Sequence, residues 1–115
     1  MATEIIGNKH KTMKQYTNES QTAKLIELGF KKPKGLYFGN NTIGDYAYTI
    51  GELIEMLPKK ITNEYDHQAI LQMTCFEGVW RVKYSGGYDL GLMLGEELVD
   101  ALYYMAVQLK EEGVI

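Results

Sequence analysis

The sequence predicts an α+β domain in the order α-β-β-α-β-β-α, with a small antiparallel sheet and helices packed mainly on one face. Three observations carry that prediction. Residues on both sides of Glu77-Gly78 alternate strictly between apolar and polar. Thr49-Ile50-Gly51-Glu52 is a capping box, followed by apolar residues at helical spacing. Leu98, Leu102, Met105 and Leu109 form a stripe with a period near 3.6.

The elements follow in order. Met1 to Thr17 is a polar arm without sustained periodicity, and residues 18–115 form the domain. Asn18 to Leu28 is a helix capped by Asn18 or Ser20, with Gln21 placed for a capping box. Gly29 suits a left-handed C′ position, and Phe30 follows as the residue that folds back on Leu25. Leu36-Tyr37-Phe38 and Asp45 to Tyr48 are two short strands around an Asn/Gly turn. In the next helix Ile50, Leu53, Ile54 and Leu57 share one face, Tyr48 and Leu53 can staple its start, and Pro58 ends it. Lys59 to His67 is a polar link, with Ile61 and Tyr65 as candidate strand residues.

Ala69 to Tyr84 is a hairpin whose register can be written down. Phe76 pairs with Val79, Cys75 with Trp80, Met73 with Val82 and Leu71 with Tyr84. Thr74 meets Arg81 and Gln72 meets Lys83 on the opposite face. A slip of one residue would send the apolar set to the wrong side, so the pattern specifies the register. On this reading Cys75 is a buried structural thiol, and Trp80→Ala costs about 3–5 kcal/mol through lost core packing. Ser85 to Gly95 is rich in Gly and Leu and reads as a flexible crossover whose leucines cover the core edge or meet another subunit. The last helix starts near Gly95 or Glu96, ends at Gly113, and lays its stripe on the Trp80 face.

Composition narrows the function classes. The chain of 115 residues has 45% apolar and 23% charged residues, ordinary values for a globular domain. One cysteine excludes an internal disulfide and fits a reducing compartment; no apolar run approaches a membrane span or a signal-peptide core, so a cytoplasmic protein is expected. The net charge of −3 is divided unevenly. Residues 1–34 carry seven Lys and three Glu, whereas residues 35–115 carry five Lys or Arg and twelve Asp or Glu.

The run Tyr46 to Pro58, the later Trp80-Arg81-Val82-Lys83-Tyr84 and Leu98-Val99-Asp100-Ala101-Leu102 resemble, in that order, small α+β proteins of gut Bacteroides genomes, often within prophages or mobile elements. The resemblance covers about residues 46–112 and leaves out the arm. It implies a genomic neighbourhood, and no catalytic residues are assigned in that group.

The residues themselves supply no catalytic constellation. Cys75 has no base at hand, and His10 and His67 stand apart without a second ligand at a metal spacing. Glu52 with Glu55, and Glu96-Glu97 with Asp100, are carboxylate pairs that helix N-termini account for. No phosphate loop or dinucleotide fingerprint is present. The expectation is a non-enzymatic chain with no metal and no cofactor, acting as an accessory or protein-interaction protein of a phage or mobile element.

Its candidate contact residues are Arg81 and Lys83 on the outward hairpin face, together with Tyr88, Tyr103 and Tyr104 from an excess of nine tyrosines. The tyrosines suggest homo-oligomerisation through the C-terminal helix. The alternative is a small nucleic-acid-associated protein using the basic arm and Lys31, Lys32 and Lys34. The sequence pI near 5.4 and the inward placement of Trp80 and Tyr84 disfavour it.

Overall fold

A computed structural model describes residues 13–33 and 47–115. Within them lie two helices, a four-stranded sheet and a final helix. Helix α1 is Glu19–Glu27, and α2 is Ile50–Met56. Strands β1 (Lys60–Thr62), β2 (Gln68–Phe76), β3 (Val79–Gly86) and β4 (Leu90–Gly95) follow, and α3 is Leu98–Glu111. The fold is α+β. The strands form an antiparallel meander in chain order, β1-β2-β3-β4.

The caps form as their residue types dictate. The Asn18 side chain accepts from the Gln21 N–H at 2.8 Å, and Gln21 reciprocates by accepting from the Asn18 N–H at 3.0 Å. At the other end of α1, Gly29 has φ +99°. Its N–H reaches the Ile26 carbonyl, and that of Phe30 reaches the Leu25 carbonyl, a Schellman pair. Thr49 and Glu52 repeat the reciprocal cap at α2, with Tyr48 and Leu53 both buried beside it. The same Schellman pattern closes α3: Gly113 bonds to the Lys110 carbonyl and Val114 to that of Leu109.

The β2–β3 register is the one written from the alternation, from Ala69↔Gly86 to Phe76↔Val79. Its two-residue turn takes positive φ at both Glu77 and Gly78, as a type I′ hairpin requires.

Two segments differ from the sequence reading. Lys59 to His67 contributes β1, paired to β2 through Ile61↔Ala69, while Tyr65 lies in the exposed turn that follows. Asn63 builds that turn by accepting from the N–H groups of Tyr65 and His67. Ser85 to Gly95 is no crossover: residues 90–95 are a ladder strand on β3. The glycines obscured it. Gly91, at φ +69°, sits in a bulge between the Tyr84↔Leu90 and Lys83↔Leu92 pairs. A Cβ there would stand 3.2 Å from Met105 Sδ of α3, and one on Gly95 would stand 3.2 Å from the Glu97 carbonyl. The small residues let helix and strand approach closely, which conceals the period of two. The expected strand at residues 36–38 and the start of the one at 45–48 lie outside the described residues. Ala47 and Tyr48 carry no strand; Tyr48 is tied to Thr17 through its N–H and its carbonyl.

The core lies between α3 and the inner sheet face. Leu98, Val99, Ala101, Leu102, Met105, Ala106 and Leu109 meet Ala69, Val82 and Tyr84, and Leu25, Tyr48, Leu53 and Leu57 close the side. Its two phenols are satisfied. Tyr48 donates to the Lys31 carbonyl and Tyr84 to the Pro58 carbonyl, each at 2.7 Å. Burial pushes both phenols up to about 12, Glu52 adding to the effect at Tyr48, so both stay protonated at neutral pH.

Inner-face cover ends before the hairpin turn, because α3 packs on β3 and β4. Cys75 is therefore exposed, not buried, although its pairing with Trp80 is the expected one. Trp80 itself is only partly buried against the core.

Candidate interaction surface

The side of the sheet away from α3 is the most unusual surface among the described residues. Alternation puts Ile70, Gln72, Thr74 and Phe76 of β2 there, with Arg81 and Lys83 of β3 and Leu92 and Leu94 of β4. Lys60, opposite Ile70, extends the face on β1. Ile70, Phe76, Leu92 and Leu94 are each more than half exposed. Four large apolar side chains on one open face exceed the scattering expected of an ordinary surface.

Its electrostatics are one-signed. None of the four strands contains Asp or Glu, while the face carries Lys60, Arg81 and Lys83. In a chain of net charge −3 this is a local positive field interleaved with apolar groups. Arg81 sits between Thr74 and Leu94, and Lys83 between Gln72 and Leu92. Carboxylates stand just beyond the strand ends: Glu77 in the β2–β3 turn, Glu96 after β4, and Asp89, which joins Lys83, Tyr84, Gly91 and Leu92 around an open cleft of about 300 Å³.

The structure brings Arg81 and Lys83 together on this face and places the three candidate tyrosines elsewhere. Tyr88 is half-buried and donates to the Ile61 carbonyl at 3.2 Å, a brace between the β3–β4 connection and β1. Tyr103 is half-buried; desolvation raises its pKa, Lys24 opposes that, and Tyr104 and Glu111 add to it. Tyr104 is exposed on α3, its ring edge-on to Tyr103 at 5.1 Å.

The sequence did not point to Ile70, Phe76 or Lys60 as contact residues, and it assigned the leucines of segment 85–95 to the core edge or another subunit without placing them on this face. Ile70 and Phe76 were legible, as apolar residues on the polar parity of β2. The two leucines were not, because β4 had to be recognised as a strand first.

Lys31 and Lys32 lie elsewhere, in an open cleft of about 340 Å³ shared with Glu52, Glu55, Tyr48, Phe30 and Met56. The cleft thus sets two carboxylates beside the two described lysines of this loop. Lys34 lies outside the described residues. Within that cleft the Tyr48 hydroxyl is held protonated by burial and by its bond to the Lys31 carbonyl.

Residues 14–17, at the end of the polar arm, are tied to the domain. The Lys14 ammonium meets Asp100 at 2.7 Å and Gln21 at 3.3 Å, and its backbone N–H donates to Glu97. Thr17 is fully buried, hydroxyl to hydroxyl with Thr22 at 2.7 Å. Burial works against ionisation of Asp100, but hydrogen bonds from Gln21 and Lys14 and the Lys14 charge outweigh it and hold its carboxyl below the usual range. This cluster is an anchor whose buried side-chain polar atoms are all hydrogen-bonded.

Among the described residues, no three His, Cys, Asp or Glu side chains stand together as a metal site would need, and no helix is long and apolar enough to cross a membrane. The surface therefore has to be read from its own chemistry: no family model matches this sequence, and no curated protein or solved structure matches it either.

Proposed function

We propose that this chain is a non-catalytic interaction protein that docks an acidic, partly apolar protein partner on the open face of its sheet. One observation carries the reading. The face combines Lys60, Arg81 and Lys83 with half-exposed Ile70, Phe76, Leu92 and Leu94, and its strands hold no carboxylate. Apolar contact supplies affinity on such a surface, while the cations select the sign of the partner and steer its approach. A reducing, cytoplasmic setting is part of the proposal, supported by the exposed free thiol of Cys75. An accessory role for a phage or mobile element rests on the sequence resemblance alone.

A nucleic-acid role is the weaker reading. The three cations favour it, but Phe76 is the only aromatic residue those strands present outward, and Lys31 and Lys32 share their cleft with Glu52 and Glu55.

Site-specific photocross-linking separates the two. A benzophenone side chain at Ile70 is expected to capture a discrete protein in the cell that makes this chain. Arg81→Glu with Lys83→Glu removes that capture, while Glu111→Lys on the helix layer retains it. Unchanged capture after the double charge reversal would overturn the reading. Salt-sensitive binding of single-stranded RNA, lost in the same double variant, would favour the alternative.

A further inference from the structure

The two edges of the sheet are built differently. β1 is three residues long and begins with Lys60, preceded by Lys59. A short edge carrying cations is protected against strand addition. β4 is six residues, Leu90–Gly95, without charge or proline, and among the described residues no strand pairs with its second edge. Among the described residues this edge is therefore open for strand addition, beside Leu92 and Leu94, both more than half exposed.

β4 is also symmetric. Gly91-Leu92-Met93-Leu94-Gly95 reads identically in both directions. In an antiparallel ladder centred on Met93, each residue meets its equivalent from a second copy. Leu92 faces Leu94, Met93 faces Met93 and Leu94 faces Leu92, the regular stretch ending at the Gly91 bulge. Side-chain direction and hydrogen-bonding direction both alternate with a period of two, so this register keeps both leucines of each copy on the open face. No charge lies on the strand to be set against its like, whereas stacking two copies face to face would oppose Lys60, Arg81 and Lys83 with themselves.

We infer that β4 is a self-pairing edge, and that two copies of this chain join their sheets through it about a two-fold axis at Met93. The occupant is a second copy because the strand is its own complement: a two-fold interface must present one patch to itself, and a palindromic strand does so residue by residue. The pairing creates an outer cluster of four leucines flanked on each side by Arg81 and Lys83. It leaves those cations uncovered, while Leu92 and Leu94 belong both to this edge and to the proposed partner face. On the helix side, Tyr104 lies one turn after Ala101, which packs on Gly95, and one turn before Gln108, which approaches Gly91. Its half-exposed ring thus sits on the flank of α3 nearest this edge.

Sedimentation over the micromolar to millimolar range tests the inference, with circular dichroism as the check on folding. The wild-type chain is expected to show a reversible monomer–dimer equilibrium. Leu94→Lys sets a lysine against Leu92 of the other copy at both ends of the ladder and is expected to weaken dimerisation about tenfold or more. Lys60→Glu, on the other edge, leaves it unchanged. Register is read separately in a Cys75→Ser background. An oxidised mixture of Leu92→Cys and Leu94→Cys chains is expected to cross-link several-fold more than either chain alone. A monomer at every concentration would overturn the inference. So would a dimer that tolerates Leu94→Lys, or equal cross-linking in the mixture and the single preparations.

Discussion

The two faces of the sheet come from the same four strands and share one backbone, yet they end in opposite states. On the inner face Ala69, Val82 and Tyr84 are fully buried beneath α3. On the opposite parity, Ile70 and Phe76 of β2 and Leu92 and Leu94 of β4 remain more than half exposed. Neither propensity nor hydrophobicity separates the two sets, since leucine, isoleucine and phenylalanine are as apolar as the residues inside. What separates them is cover. The α3 stripe is one helix wide and packs on β3 and β4, and α2 packs against α3 rather than crossing to the other side. A half-buried strand needs apolar residues on one parity only, so apolar residues kept on the other parity call for a reason beyond folding.

That contrast can be broken most severely from the inside. Leu102→Ala removes a fully buried side chain at the centre of the α3 stripe and is expected to cost about 3 kcal/mol, seen as a lower denaturation midpoint at unchanged m-value. Trp80→Ala comes next. It sits where inner-face cover thins toward the hairpin turn, so about 2 kcal/mol replaces the larger cost that a fully buried tryptophan would carry. A loss as large as that of Leu102→Ala would show that the turn end of the hairpin is as well packed as its middle.

Asp100→Asn tests the anchor that ties residues 14–17 to α3, and about 1 kcal/mol is expected at neutral pH. The folded state holds this carboxyl below its ordinary value, so its contribution is present above the unfolded pKa of about 3.9 and is lost as pH falls through the lower folded value. Stability curves of the two proteins should therefore converge in acid and separate toward neutrality. Parallel curves would mean that the Asp100 charge does not act. The smallest effects belong to the open face. Ile70→Ala and Arg81→Ala are each expected to stay within about 0.5 kcal/mol of the parent, because neither side chain is enclosed. A loss near that of Trp80→Ala at Ile70 would show that the face is packed rather than open.

Much of this was legible beforehand because it is local. Reciprocal caps at Asn18/Gln21 and Thr49/Glu52, Schellman endings at Gly29 and Gly113, and a type I′ turn at Glu77-Gly78 depend on residues within one turn of each other. The β2–β3 register was legible for the same reason, since a two-residue turn fixes it and alternation confirms it. The candidate surface was half legible. Arg81 and Lys83 follow from the parity of β3, but their apolar neighbours come from β4, which the glycines disguise.

The sequence by itself determined which stretches become helix and hairpin, which parity of β2 and β3 turns inward, and that the strands carry cations without carboxylates. The tertiary structure decided how far the cover reaches. It left Cys75 exposed and Trp80 half-covered at the end of a face the alternation treats as uniform, and it turned the glycine-rich segment 90–95 into an edge strand under α3. The physical reason is that alternation records only direction. Burial depends on where a partner element, distant in the chain, begins and ends.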